Sequence, residues 1–246
     1  RHDKWLFWYE DGSRHKEVLF NEGNRDGAYI EWYPDGNKKQ KGTYQNDKRE
    51  GEFILWYMSG KIKETGEYKA NLREGVHRKY YENEKKKEEK TFVAGKVDGP
   101  YTLYYENGGK IETGSLKGKT KVGRFASWYE GFEKESRGNY VNNERDGRWT
   151  YWYENDQKKS EGIFKVGRRE EEFIYWYQDG QQKAVYNYLN NLRHGKYTIW
   201  YNNGQKKEEG LNKNGRMDGD RFYWNENGML IRKEIYENGK QTFSKE

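Results

Sequence analysis

The sequence predicts an all-β chain, an elongated single-layer array of antiparallel β-hairpins forming a twisted ribbon of about twenty short strands. Three observations predict it. First, an aromatic pair recurs every 24 residues, ten times, starting at Trp8, Trp32, Trp56, Tyr80, Tyr104, Trp128, Trp152, Trp176, Trp200 and Trp224. The following residue is Tyr in nine of the ten, and Asn225 is the exception. A fixed period of this length marks units that pack mainly on their neighbours. Second, 32% hydrophobic and 36% charged residues would by themselves lean towards disorder, but the aromatic share is 17%. Tyr and Trp bury a ring and keep a polar tip wet, so they build a thin packed layer without an aliphatic core. Third, turn residues punctuate every unit at fixed places.

In the unit 51–74, residues 52–57 read as a strand, with Phe53, Leu55 and Tyr57 on one face and Ile54 and Trp56 on the other. A tight turn follows the aromatic pair: Asp-Gly at 11–12, 35–36 and 179–180, Asn-Gly at 107–108, 203–204 and 227–228. Such dipeptides tolerate the positive φ of a type I′ turn. A polar, Lys-rich second strand ends near an aromatic, as at Phe20, Tyr44, Tyr68, Phe92, Tyr140, Phe164, Tyr188 and Tyr236. A second turn then ends in Gly at 27, 51, 75, 99, 123, 147, 195 and 219. A further Gly inside the second strand, at 42, 66, 114, 138, 162 and 210, is read as a place where a neighbouring ring lies over bare backbone. The unbroken period makes 1–246 a single continuous repeat domain of about ten units, with equivalent side chains about 9.6 Å apart.

The units Gly66-Glu67-Tyr68, Gly75, Tyr80-Tyr81 and Gly138-Asn139-Tyr140, Gly147-Arg148-Trp149, Trp152-Tyr153 resemble MORN repeats, and the Trp-Tyr-x-(Asn/Asp)-Gly-x-Lys-Lys pattern resembles the bacterial antitoxin-like variant. The resemblance covers essentially the whole chain. It implies a β-hairpin array that mediates protein contacts, sometimes dimerises, and is sometimes proposed to bind acidic phospholipids. It carries over no catalytic residue. The departures are local: Glu84, Phe132 and Asp156 at the tight-turn Gly, Glu171 at the closing Gly, and Val18, Lys90, Tyr186 and Glu234 at the mid-strand Gly.

No active site emerges. His2, His15, His77 and His194 are scattered without metal-ligand spacing, there is no cysteine, and no phosphate-loop motif is present. The acids beside the closing Gly (Asp26, Glu50, Glu74, Asp98, Asp146, Asp218) repeat once per unit, which marks them as architectural. The reading is therefore not an enzyme, with no cofactor, no metal and no small-molecule substrate expected. The net charge of +6 is spread without a basic stripe, so nucleic acid is an unlikely partner.

Three surfaces are candidates for binding. The N-terminal edge carries Trp5, Phe7, Trp8 and Tyr9, an apolar set on a strand with unpaired backbone. A basic ladder of Arg14, Lys38, Lys86, Lys110, Lys134, Lys158 and Lys206 follows the tight turns. The aromatics Trp32, Trp56, Trp128, Trp152, Trp176, Trp200 and Trp224 are read as packing between hairpins. The first function expected is a non-enzymatic scaffold that binds a protein partner or its own copies. The alternatives are a peripheral membrane module holding acidic phospholipids on the basic ladder, and a carbohydrate- or choline-binding aromatic array. The chain starts at Arg1, lacks cysteine, and has no apolar run longer than 53–58, far short of the ~20 residues that span a bilayer. That leaves the compartment open, with a lean towards a soluble, extracytoplasmic protein.

Overall fold

The computed structural model describes residues 3–245, so Arg1, His2 and Glu246 lie outside the described residues. The described residues hold 21 strands and no helix, as the period predicts. The chain divides into two compact units, one up to residue 120 and one from residue 121. The first holds β1 (Asp3–Trp8), β2 (Arg14–Asn21), β3 (Asn24–Trp32), β4 (Lys38–Gln45), β5 (Lys48–Trp56), β6 (Ile62–Lys69), β7 (Leu72–Tyr80), β8 (Lys86–Val93), β9 (Lys96–Tyr104) and β10 (Lys110–Lys117). The second holds β11 (Thr120–Trp128), β12 (Lys134–Val141), β13 (Glu144–Trp152), β14 (Lys158–Lys165), β15 (Arg168–Trp176), β16 (Gln182–Leu189), β17 (Leu192–Trp200), β18 (Lys206–Lys213), β19 (Arg216–Trp224), β20 (Leu230–Glu237) and β21 (Lys240–Lys245). Within each unit, sequence-adjacent strands pair antiparallel in a meander. The last strand, β21, pairs with β20.

The turn after the aromatic pair is not the type I′ turn that its Asp-Gly and Asn-Gly dipeptides predict. After the aromatic pair, Gly12 N–H donates to Tyr9 O at 3.0 Å and Tyr9 N–H to Ser13 O at 2.8 Å. Only Gly12 in that loop has positive φ (82°), and the strand register shifts between Phe7 and Trp8. This is a type I turn followed by a left-handed residue and a bulge, so Asp-Gly serves here as the end of a type I turn. The type I′ turns lie at the other end, where both central residues have positive φ: Asn46 and Asp47 (47° and 63°), Ala70 and Asn71 (50° and 70°), Asn190 and Asn191 (51° and 69°). Asn and Asp reach that region at least cost among residues with a side chain. The closing glycines such as Gly51 (φ 73°) lie inside the following strand, at a bulge, not in the turn.

The acids beside those glycines stitch consecutive hairpins. Ala70 N–H donates to Glu50 Oε2 at 2.9 Å, Ala94 N–H to Glu74 Oε2 at 2.8 Å, and Asn238 N–H to Asp218 Oδ1 at 3.1 Å. Each satisfies a turn amide that its own hairpin leaves open.

The core is a column of rings three residues upstream of the aromatic pair, interleaved with the rings that end the second strands. In the first unit, Tyr29, Tyr44, Phe53, Tyr68, His77 and Phe92 follow one another edge-to-face with centroids 5.0–5.6 Å apart. In the second, Phe125, Tyr140, Trp149, Phe164, Phe173 and Tyr188 continue the pattern. Such pairs add about 1 kcal/mol each beyond burial. Phe53 is 0% exposed. Its ring lies on Gly42, where a Cβ would fall 2.5 Å from the ring edge, and Phe173 and Trp149 lie likewise on Gly162 and Gly138. The mid-strand glycine is thus the seat of the next hairpin's ring.

Candidate functional site

The Trp-Tyr pair has a different task from the ring column. Its Tyr hydroxyl donates to the backbone carbonyl of the next pair: Tyr9 to Trp32 O at 2.8 Å, Tyr33 to Trp56 O at 2.9 Å, Tyr57 to Tyr80 O at 2.7 Å, Tyr177 to Trp200 O at 2.7 Å and Tyr201 to Trp224 O at 2.9 Å. The 24-residue beat is a ladder of hydroxyl rungs across hairpins. The Trp members stay half-buried at Trp32, Trp56, Trp128, Trp152, Trp176, Trp200 and Trp224.

The basic ladder lies on these rings. Arg14 sits 5.2 Å over Trp32, Lys38 6.0 Å over Trp56, Lys86 5.9 Å over Tyr104, Lys134 5.3 Å over Trp152, Lys158 5.4 Å over Trp176 and Lys206 5.7 Å over Trp224. Lys86, Lys158 and Lys206 also pair with Glu89, Glu161 and Glu209 at 3.2, 3.1 and 2.7 Å. Lys110 is engaged as well. Where a second base follows, it covers the Tyr of its own pair, as Lys39 does over Tyr33 at 5.8 Å, Lys87 over Tyr81 at 5.2 Å and Lys159 over Tyr153 at 5.5 Å.

A second row, on the ring-column face, is acidic, buried at Glu31 and half-buried at Glu112 and Glu208. Tyr29 donates to Glu31 Oε2 at 2.8 Å, Tyr197 to Glu208 and Tyr101 to Glu112. Burial, then the hydrogen bond to its carboxylate, pushes the phenols of Tyr29 and Tyr197 well above the usual range. Burial pushes Glu31 up, but hydrogen bonds from Lys39 and Tyr29 outweigh it and leave the carboxyl below its ordinary value. His77 stands in the ring column, 4% exposed, with Nε2 2.8 Å from Glu67 O and Nδ1 without a hydrogen bond. His15 stacks on Tyr9 at 4.3 Å, and His194 lies at the surface by Asn214. Among the described residues, no three His, Cys, Asp or Glu side chains are grouped to hold a metal.

The predicted edge residues are brought together on β1. Trp5, Phe7 and Trp8 are exposed, and Tyr9 is held by its rung to Trp32. Among the described residues β1 pairs with β2 alone. Trp5 is 57% exposed at the repeat position where Phe53 is fully buried. The sequence reading missed the ring column and the acidic row. Both repeat at the same period, but the Trp-rich pair dominates the pattern and hides them.

Fold and surface define a β-hairpin repeat protein whose side-chain ladders run from unit to unit. The MORN repeat variant matches residues 25–46, 49–70, 73–94, 145–165, 193–214 and 217–240, more than half of the chain, and the chain belongs to that family. Six matched repeats mean that the ten units counted from the aromatic period overstate the family repeats. The unmatched stretches carry Val18, Leu116, Phe132, Glu171 and Tyr186, where the repeat's own residues are replaced. No curated protein matches the chain. Among solved structures it is similar to chains of the TcdB2-TccC3-Cdc42 crystal structure (8% identity, TM-score 0.21, 98% of this chain and 17% of that chain) and of TcdB2-TccC3 (9%, 0.22, 98% and 17%). A chain of the Photorhabdus luminescens Tc holotoxin pore gives 8% identity and a TM-score of 0.22 over 98% of this chain and 14% of that one. This chain therefore spans about a sixth of the length of those it matches. Repeats of this family serve as interaction scaffolds and are generally non-enzymatic. No helix among the described residues is long and apolar enough to cross a membrane.

Proposed function

We propose that this chain is a protein-interaction scaffold that takes an extended strand, from a partner or from another copy, along the edge of β1 that no described strand pairs. The observation that carries the reading is the contrast between exposed Trp5 and buried Phe53 at equivalent positions. In the array, each such ring lies on a glycine of the strand before it, as Phe53 lies on Gly42. Trp5 has no described strand on that side, so the strand it accepts is one with a glycine or other small residue beneath the ring. Trp8, Phe7 and unpaired backbone groups extend the same edge, and added main-chain hydrogen bonds supply affinity in this mode of recognition.

The same geometry weighs against the membrane and sugar readings. The ladder bases are spent on rings and carboxylates, and the register's Trp faces are half-covered by them. The test is hydrogen exchange of β1 in the whole chain with a synthetic peptide of the β4 sequence, residues 38–45, in excess. Slowed exchange across residues 3–8, lost with a Gly42→Val peptide or with Trp5→Ala in the protein, is expected. Unchanged exchange at saturating peptide sinks the proposal.

A further inference from the structure

The repeat lets the molecule act as its own control. In the second unit a hollow of about 230 Å³ is lined by Tyr129, Glu135, Tyr151, Trp152, Lys159 and Ser160. Three periods later a hollow of about 330 Å³ is lined by the equivalent residues Tyr201, Lys207, Tyr223, Trp224, Ile231 and Arg232. The aromatic walls are the same, Tyr, Tyr and Trp in both. The charges are not. Lys207 replaces Glu135, Arg232 replaces Ser160, and Ile231 replaces Lys159. The first hollow sets a base against an acid. The second has two bases and an apolar floor, with no acid on its walls.

The departures around the second hollow support one another. Arg221 stands where other units place a ring of the column, paired with Glu208. Glu234 takes the place of the mid-strand glycine and accepts from Tyr223 at 2.7 Å and Tyr236 at 3.1 Å. It also holds Arg232, with Nε 3.4 Å from its Oε1. The Arg232 guanidinium is laid 4.1 Å over the Tyr223 ring, and its Nε is buried and, beyond that ion pair, without a hydrogen bond. In the other hollow Lys159 rests 5.5 Å over Tyr153. Here the equivalent of Tyr153 is Asn225, whose Oδ1 accepts the N–H groups of Asn227 and Met229 and so turns into the tight turn. No tyrosine ring covers Ile231 on that side. Lys207 lies 5.3 Å over Tyr201, on the opposite wall.

We infer that this hollow binds an organic carboxylate with a flat or branched apolar body. The planar guanidinium, pre-oriented on Tyr223 and held on one side by Glu234, matches a carboxylate's two oxygens, and Lys207 adds a second charge across the gap. Tyr201, Trp224 and Ile231 pack the body. The volume is at the lower end of ligand pockets, which run from about 300 Å³. The carboxylate comes either from a small free acid or from the C-terminal residue of a polypeptide. This inference rests on other residues than those of β1, and neither proposal depends on the other.

The test is an NMR titration of the Trp224 indole N–H in the whole chain with four probes: benzoate, benzyl alcohol, a tripeptide ending in Phe with a free carboxylate, and the same peptide amidated. Benzoate or the acid peptide shifts the resonance with a Kd on the order of 1 mM or tighter, while the alcohol and the amide do not. A peptide about tenfold tighter than benzoate identifies a polypeptide terminus, and equal affinity a free acid. Arg232→Gln weakens binding about tenfold or more, and Lys207→Gln, an exposed position, several-fold. Lys159→Gln in the equivalent hollow leaves it unchanged. No shift from either acid at about 10 mM, equal binding of the alcohol, or binding indifferent to Lys207→Gln overturns the inference.

Discussion

Replacing Gly42 by Ala tests the claim that the ring column sits on bare backbone. The added Cβ would lie 2.5 Å from Cδ1 and Cε1 and 2.6 Å from Cζ of Phe53, where ordinary contact begins at 3.4 Å. The ring must retreat by about 1 Å in a close-packed interior. It has little room, with Tyr44 and Tyr68 edge-on at 5.6 and 5.2 Å and the Arg49 guanidinium 5.2 Å above it. Overpacking of this kind costs about 1–3 kcal/mol. Gly42 is not in the left-handed region, so Ala recovers about 0.4–1 kcal/mol by stiffening the unfolded chain. The net expectation is a loss of about 1–2 kcal/mol, read by urea unfolding followed by near-ultraviolet circular dichroism. A double-mutant cycle sharpens the attribution. Phe53→Ala alone costs about 3–5 kcal/mol, and in the Gly42→Ala background the methyl fills part of the vacated space, so the pair loses at least 1 kcal/mol less than the sum. Additivity within about 0.5 kcal/mol would falsify the close approach.

Tyr57→Phe removes one hydroxyl rung while leaving the ring, and a loss of about 1 kcal/mol in the same unfolding assay is expected. Tyr151→Phe goes the other way: its hydroxyl is buried with no hydrogen bond, so the variant is neutral or up to about 1 kcal/mol more stable, and a clear loss would reveal a partner. Stability against pH has two limbs. Burial raises Glu31, Glu88 and Glu161, but hydrogen bonds from Lys39, Lys90 and Lys158 leave each below the ordinary 4.5. The unfolded chain takes up these protons first, so this stability is full above pH 4.5 and is lost as pH falls through the folded values. Burial foremost raises Tyr175 and Tyr223 to about 12 from 10.0, so their contribution is full below pH 10.0 and fades towards about 12. Thermal unfolding from pH 3 to 11 checks both limbs, and a rise in stability below about pH 4 contradicts the first.

The period, the strand content and the acids' architectural role are legible in sequence because each is fixed by local geometry repeated ten times. Alternation of side chains defines two faces, and the glycines show where backbone is left bare. Which aromatic column is buried is not legible in the same way. Phe53 and Trp56 lie on opposite faces of one strand and are equally apolar, and only the stacking of Phe53 onto Gly42 and between Tyr44 and Tyr68 decides between them. The place of the type I′ turn is hidden for a related reason. Asp-Gly is the strongest short hairpin signal, yet Asn-Asp at 46–47 and Asn-Asn at 190–191 also populate left-handed backbone. Loop length decides: two residues separate Gln45 from Lys48, whereas five separate Trp32 from Lys38. The hollow beside Arg232 is legible only in retrospect, since each of its departures reads alone as a worn repeat.

A worn repeat and a retained site differ in whether the departures answer one another. Glu84, Phe132 and Asp156 stand at the tight-turn glycine, and the backbone keeps its left-handed φ of 67°, 80° and 62° all the same. Each costs about 1–2 kcal/mol locally. That is the behaviour of tolerated drift in a fold stabilised by many equal units. Arg221, Glu234, Arg232 and Asn225 behave otherwise. A guanidinium in the ring column would be a half-buried unpaired charge without Glu208, and a carboxylate on the glycine seat would be a buried one without Tyr223, Tyr236 and Arg232. Such buried pairs add little stability over an apolar filling and cost several kcal/mol when one member is missing. Arg221 and Glu234 are each costly alone and tolerable with their partners, and the arrangement sets the Arg232 guanidinium at the hollow, paired with Glu234 at 3.4 Å and laid on the Tyr223 ring.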